Sequence, residues 1–222
     1  MCISVHQLCY VHADKEPLFQ NINLTVNTGQ RLALVGNNGT GKSTLLRIIE
    51  GNLKPSSGEV VCSSRPYYIP QHFGQFDNLT VAEALRVDDR IKALHAILEG
   101  DASAENFTCL NDDWDVEERC LSALASWNLE HLQLSQPMCS LSGGEKIRLL
   151  FCCLMIGNNA PDVFILDEPT NNLDIQSVDI ITAAIKSYSG TVLLISHDRY
   201  FVKEIKINRS IKLFDTGSVI KI

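Results

Sequence analysis

The chain has 222 residues, 45% of them hydrophobic and 20% charged, with a formal net charge of −7. This suffices for one domain, or one domain with a helical annex, around a proper core. The acidic balance speaks against this chain alone gripping nucleic acid, and no run of about eighteen apolar residues offers a membrane span. The opening residues, MCISVHQLCYVH, lack the basic-then-apolar layout of a secretory signal. The eight cysteines (Cys2, Cys9, Cys62, Cys109, Cys120, Cys139, Cys152 and Cys153) are scattered, without metal-ligand spacing. They read as buried, reduced thiols, which places the protein in the cytoplasm.

Short apolar pieces between residues 3 and 35 (ISVHQLCYV, LFQNINLTV, RLALVG), broken by Pro17, Asn27 and Gly29, predict strands joined by tight turns. A helix is expected from Lys42 to about Glu50, burying Leu45, Leu46, Ile48 and Ile49 and ended by Gly51 and Pro55. Short strands follow near 58–61 and 67–69. From 80 to 135 the character changes: TVAEALRVDDRIKALHAILEG is helical by pattern, DASAENFTCLNDD is a polar interruption, and WDVEERCLSALASWNLEHL is helical again. Cys120, Leu121, Leu124 and Trp127 form an amphipathic stripe there, and Asp112, Asp113, Asp115, Glu117 and Glu118 read as helix-start charges or a solvated face. These helices form a small subdomain over about 80–157. Beyond Leu141 a helix (143–157), strand (VFILD), helix (174–187), strand (TVLLIS), helix (198–206) and two short strands predict an α/β core with a largely parallel sheet.

Gly36-Asn37-Asn38-Gly39-Thr40-Gly41-Lys42-Ser43 is a complete P-loop, set directly between a strand and a helix. The glycines let consecutive N–H groups turn inward around phosphate oxygens, and the helix start adds its positive dipole end. Lys42 is expected on the β- and γ-phosphates and Ser43 on Mg²⁺. The strand VFILD ends in Asp167 and Glu168 at the carboxyl edge of the sheet, where ligands bind in open α/β folds. Asp167 is expected to hold Mg²⁺ through water, and Glu168 to orient or deprotonate the attacking water. Ser142, Gly143, Gly144 and Glu145 have capping-box spacing, but two glycines in a first helical turn also suit close approach of a ligand to bare amides.

Taken in order, the P-loop, Gln71, LSGGE, ILDEP, LD at 173–174 and His197 resemble an ATP-binding cassette (ABC) nucleotide-binding domain over essentially the whole chain. The resemblance implies an α/β P-loop NTPase fold of ABC type: a mostly parallel core sheet, an antiparallel β subdomain and a helical subdomain, all within one domain over 1–222. It assigns Gln71 to sensing Mg²⁺ and the attacking water, Asp174 to crossing toward a partner, and His197 to the γ-phosphate. Thr44 extends the phosphate loop. The aromatic that stacks on adenine falls on His12, which departs from the usual tyrosine, with Tyr10 as the neighbouring candidate.

LSGGE with glutamate, DEPTNNLD and SHDRYF together resemble the ABC-F group, soluble tandem cassettes that mostly act on ribosomes. TNNLD differs by one residue from that group's commoner TNHLD. In this family ATP lies between the P-loop of one cassette and the signature helix of another. Ser142, Gly143, Gly144 and Asp174 are therefore expected to serve the opposite nucleotide. The partner is a second cassette, in tandem or as a homodimer, without direct membrane insertion. The long charged linker that reaches transfer RNA is absent, and the chain opens almost directly into its first strand. An isolated first cassette, or a truncated piece, is the expectation. A nucleotide-binding subunit of a transporter and a mechanical ATPase of DNA maintenance are the alternatives.

Overall fold

The computed structural model describes residues 2–12, 16–153, 156, 161–171, 173–214 and 219–221. In chain order come β1 (Ile3–Val11), β2 (Pro17–Val26), β3 (Arg31–Val35), α1 (Lys42–Glu50), β4 (Ser57–Cys62) and β5 (Tyr67–Ile69). Five helices follow: α2 (Val81–Ala84), α3 (Asp88–Leu98), α4 (Ala104–Leu110), α5 (Val116–Ser126) and α6 (Gly143–Cys152). The chain closes with β6 (Val163–Asp167), α7 (Ile175–Ser187), β7 (Thr191–Ile195), α8 (Arg199–Glu204), β8 (Arg209–Leu213) and β9 (Val219–Lys221). Two compact units result: Met1–Gln71 with Pro161–Asn171 and Thr182–Ile222, and His72–Ala160 with Asn172–Ile181.

The first unit holds two sheets. Strands β2-β1-β4 pair antiparallel, while β5-β6-β7-β3-β8-β9 form a sheet that is parallel except at β9. Every residue of β6 and β7 is buried, as strands covered on both faces must be, hence their unbroken apolar runs. In β2, by contrast, Ile22, Leu24 and Val26 point inward between exposed Asn23 and Thr25, the alternation of a sheet with one covered face. These residues share one core with Leu32, Leu45, Leu46, Ile165 and Leu193. Gly51 ends α1 in the left-handed region at φ 97°, its N–H returning to the carbonyls of Arg47 and Ile48.

The second unit departs from the sequence pattern in three places. The helix expected across 80–100 breaks into α2 and α3 at Arg86, whose φ is 60°. Leu85 and Val87 are both buried, and two residues 200° apart around one continuous helix could not share a face. The polar stretch after residue 100 contains α4, started by Ser103, whose hydroxyl accepts from the Asn106 N–H, and ended by left-handed Asn111. On α5, Cys120, Leu124 and Trp127 are buried, but Leu121 is 49% exposed: one step along the helix turns it about 100° off that stripe. The acidic run is partly engaged: Asp113 bridges Arg90 and Arg119, Asp115 pairs with Arg119, and Glu117 lies 2.8 Å from His95. Helix α6 ends at Cys152, and residues 154, 155 and 157 of its expected extension lie outside the described residues.

None of the eight cysteines, all among the described residues, forms a disulfide. Cys2, Cys120, Cys152 and Cys153 are buried, but Cys109 and Cys139 are exposed, so uniform burial does not hold. Among the described residues, no helix is long and apolar enough to cross a membrane.

Candidate active site

The order of the larger sheet sets β3 between β7 and β8, with β6 beside β7. Because these strands are parallel, the segments leaving their carboxyl ends meet on one edge: the P-loop after β3, Asp167 and Glu168 at β6, and Ser196 and His197 after β7. In the loop, Gly36 has φ 155°, and a Cβ there would stand 2.5 Å from the Leu213 carbonyl oxygen. Gly41, at φ 89°, starts α1 and lies against Leu18. Both positions exclude a side chain. The Thr40 hydroxyl ties the loop by donating to the Asn37 carbonyl at 3.0 Å.

Lys42 folds over this loop, its Nζ donating to the carbonyls of Gly36 (2.9 Å) and Asn37 (2.8 Å). Burial lowers its pKa, while the negative charges of Glu168 and Asp167 oppose that shift. Asp167 is only 3% exposed. Its Oδ1 accepts from Ser43 Oγ at 3.1 Å, and its Oδ2 accepts from the Tyr68 hydroxyl at 3.0 Å. Burial, and then the Asp167 charge, push the Tyr68 phenol far above its ordinary pKa, so it remains a donor.

Glu168 leaves β6 in the left-handed region, at φ 50°. Its own N–H donates to the Ile195 carbonyl at 2.9 Å. One carboxylate oxygen accepts from the His197 backbone N–H at 3.2 Å, and the other lies 3.2 Å from His197 Nε2. Glu168 is 8% exposed, whereas the His197 ring is open to solvent.

A cavity of about 540 Å³ gathers Asn38, Gly39, Gly41 to Thr44, Gln71, Asp167, Glu168 and His197 on its walls. His12 joins them from β1's end. Tyr10 does not; its ring centroid stands 6.1 Å from that of Phe19, packed against the core. Gly36 and Asn37 line a neighbouring cavity of about 370 Å³ with Lys42, Ser196, His197 and Lys212. Asn171, on the wall of the larger cavity, and Tyr68, behind Asp167, were not singled out in the sequence. A strand tyrosine reads as core, and an Asn after a turn reads as loop. Chemically, this edge offers bare amides and an ammonium for an anion, hard oxygen donors for a divalent cation, and a carboxylate beside a histidine.

In the second unit, Ser142 caps α6 through a complete capping box: its Oγ accepts from the Glu145 N–H at 3.3 Å, and its own N–H donates to Glu145 Oε2 at 2.8 Å. The Ser142 hydroxyl, which donates to Glu145 Oε2 at 2.6 Å, then the Ser142 N–H, and His131 2.8 Å from Oε1, hold the Glu145 carboxyl down to about 2. A Cβ on Gly143 would meet nothing within 4 Å, and one on Gly144 only Ser177 Oγ at 3.9 Å. Asp174 caps α7, accepting from both the N–H and the hydroxyl of Ser177 at 2.8 Å, which lowers its pKa. Asn172, inside the TNNLD stretch, lies outside the described residues.

A family model described as "ABC transporter" matches residues 19–171. The "ABC transporter F family member 2" of Arabidopsis thaliana is 37% identical over 215 residues, 97% of this chain and 28% of the relative. The "Probable ATP-binding protein YbiT" of Escherichia coli O157:H7 is 36% identical over 86% of this chain and 32% of its own. The chain thus spans about a third or less of these relatives' length. Among solved structures, an ATP-binding subunit of an ABC transporter superposes with a TM-score of 0.72 at 22% identity, covering 100% of this chain and 90% of its own. A nucleotide-free cassette from an ABC transporter gives 0.68 at 21% identity, covering 99% and 89%. At such identities these two likenesses establish the fold.

Proposed function

The chain belongs to the ATP-binding cassette family, and we propose that it is the ATP-binding, ATP-hydrolysing first cassette of an F-type protein. Residues 1–222 form one nucleotide-binding domain in this reading, with the helical subdomain within 80–157. It works in the cytoplasm, on ribosomes, and hydrolyses only when closed against a second cassette, in tandem or as a second copy. The observation that carries the nucleotide reading is the Ser43–Asp167 pair, 3.1 Å apart, in a cavity that Lys42, Glu168 and His197 also line.

The loop amides from Gly36 to Thr44 cradle the phosphates, aided by the start of α1. Lys42, now spent on two loop carbonyls, transfers its donors to the β- and γ-phosphates. The donor set fits magnesium: Ser43 hydroxyl, Asp167 carboxylate and Gln71 side-chain carbonyl are all hard oxygens, two of them already adjacent. Held by these residues, Mg²⁺ would supply positive charge against the nucleotide's phosphates. Glu168 takes a proton from the attacking water, and His197 holds Glu168 in place and donates toward the γ-phosphate. His12 offers its ring to adenine from the cavity wall; Tyr10, turned into the core, is the lesser candidate.

Ser142, Gly143, Gly144 and Asp174 serve the nucleotide on the opposite cassette. What supports this for the glycines is that none of the described residues requires them, since neither has positive φ nor a crowded Cβ. The ribosomal role rests on the resemblance of DEPTNNLD and SHDRYF to the F group and on relatives that carry that name. Two measurements test the whole. ATP should bind the chain alone, with phosphate released only once the second cassette is supplied. Glu168→Gln should cut that release by about 10²–10⁴-fold, a general base's contribution, and should co-sediment with ribosomes in ATP. Wild-type turnover by the variant would sink the general-base assignment, and absence from the ribosome pellet would sink the translation role.

A further inference from the structure

Ser43 and Tyr68 hold Asp167 from its two oxygens, and these donors differ in kind. Ser43 stands in the first turn of α1 and lines the cavity, so an ion arriving there draws its oxygen away from Oδ1. Tyr68 stands in the middle of β5, paired in register with Ile165 of β6, and its ring belongs to the hydrophobic core. It does not line the cavity, so nothing that enters displaces its 3.0 Å bond to Oδ2. A carboxylate with one oxygen fixed in this way is held to one orientation; losing the bond loosens it about its terminal torsion.

We propose that Tyr68 is the positioning residue of the metal site, aiming Asp167 Oδ1 at the cavity and tying that carboxylate to the strand that leads to Gln71. Only Ile69 and Pro70 separate Tyr68 from Gln71 on the cavity wall, so any displacement of the Gln71 segment that moves β5 is felt at Asp167. Tyr68 has this role only if Ser43 and Asp167 hold the ion, as proposed above.

The test is a titration of Mn²⁺, read as free ion by paramagnetic resonance, into the chain with a non-hydrolysable ATP analogue. Tyr68→Phe keeps the ring in the core and removes one hydroxyl. Its Mn²⁺ affinity should fall about tenfold, the low end of what such outer partners contribute, with the thermal midpoint and the metal-free affinity for the analogue unchanged. Tyr67→Phe, which removes the neighbouring hydroxyl on the same strand, should bind Mn²⁺ as the wild type does. Equal Mn²⁺ affinity for wild type and Tyr68→Phe overturns the positioning role. So does a fall in metal-free nucleotide affinity of the same size, which would mean general damage. Asp167→Asn separates the two levels: if it binds Mn²⁺ as well as wild type, the Ser43–Asp167 metal site itself is wrong.

Discussion

Replacing Gly143 and Gly144 with alanine should stabilise the chain and disable the assembled enzyme. Both glycines sit in the first turn of α6 without positive φ, and the added Cβ atoms would meet open space or an ordinary 3.9 Å contact. Glycine in a helix costs about 0.5–1 kcal/mol relative to alanine through backbone entropy, and the first turn belongs at the lower end. The double variant should therefore gain about 1 kcal/mol, which raises the midpoint of a chain this size by about 2–4 °C. Thermal unfolding of the isolated chain reads that gain. Hydrolysis with the second cassette present should drop about 10²-fold, because the new methyls occupy the approach of the opposite nucleotide's phosphates to the bare amides. Destabilisation would mean that the fold itself needs these glycines. Full activity would mean that nothing approaches them.

Gly36→Ala should do the reverse, losing about 1–3 kcal/mol and nucleotide binding together, because its Cβ meets the Leu213 carbonyl at 2.5 Å in a backbone region side chains avoid; denaturant unfolding and nucleotide titration check it. Glu145 carries a pH signature. Its folded pKa of about 2 lies below the ordinary 4.5, so its contribution is full above about pH 4.5 and fades as pH falls toward 2. Glu145→Ala should cost about 1 kcal/mol at pH 7, partial exposure screening the rest, and less at pH 3.5. Glu145→Gln keeps the capping geometry and should flatten the pH dependence. A cost for alanine that is equal at both pH values would refute the electrostatic part.

Where a local rule decides structure, the sequence could be read. Strands β6 and β7 announce themselves as unbroken apolar runs, α1 by its stop at Gly51, and the P-loop by its setting between strand and helix. The break that was missed between α2 and α3 depends on a non-glycine residue in the left-handed region, Arg86, which carries no compositional mark. Helix α4 hid in polar composition, although Ser103 and Asn111 are ordinary start and stop signals. The choice between Tyr10 and His12 could not be made by alternation. Register shifts along β1, with Gln7 at φ 45°, change the parity that would say which side chain faces where.

Asp167 and Glu168 show how little of a site the order of letters contains. In a continuing strand, neighbours would point to opposite faces, and a second carboxylate would be directed away from the first one's edge. Instead Glu168 turns at φ 50°, a conformation that costs a non-glycine residue roughly 1–2 kcal/mol. Such a cost persists only where the surroundings fix it. Here the Glu168 N–H is anchored on the Ile195 carbonyl, and the His197 N–H is anchored on the Glu168 carboxylate, both from the neighbouring strand and its exit. The turn delivers one carboxylate to Ser43 and Tyr68 and the next to His197, so two adjacent acids acquire separate partners. In the proposed reaction, strain at that one residue is what divides metal holding from water activation, and the pairing of β6 with β7 sustains it.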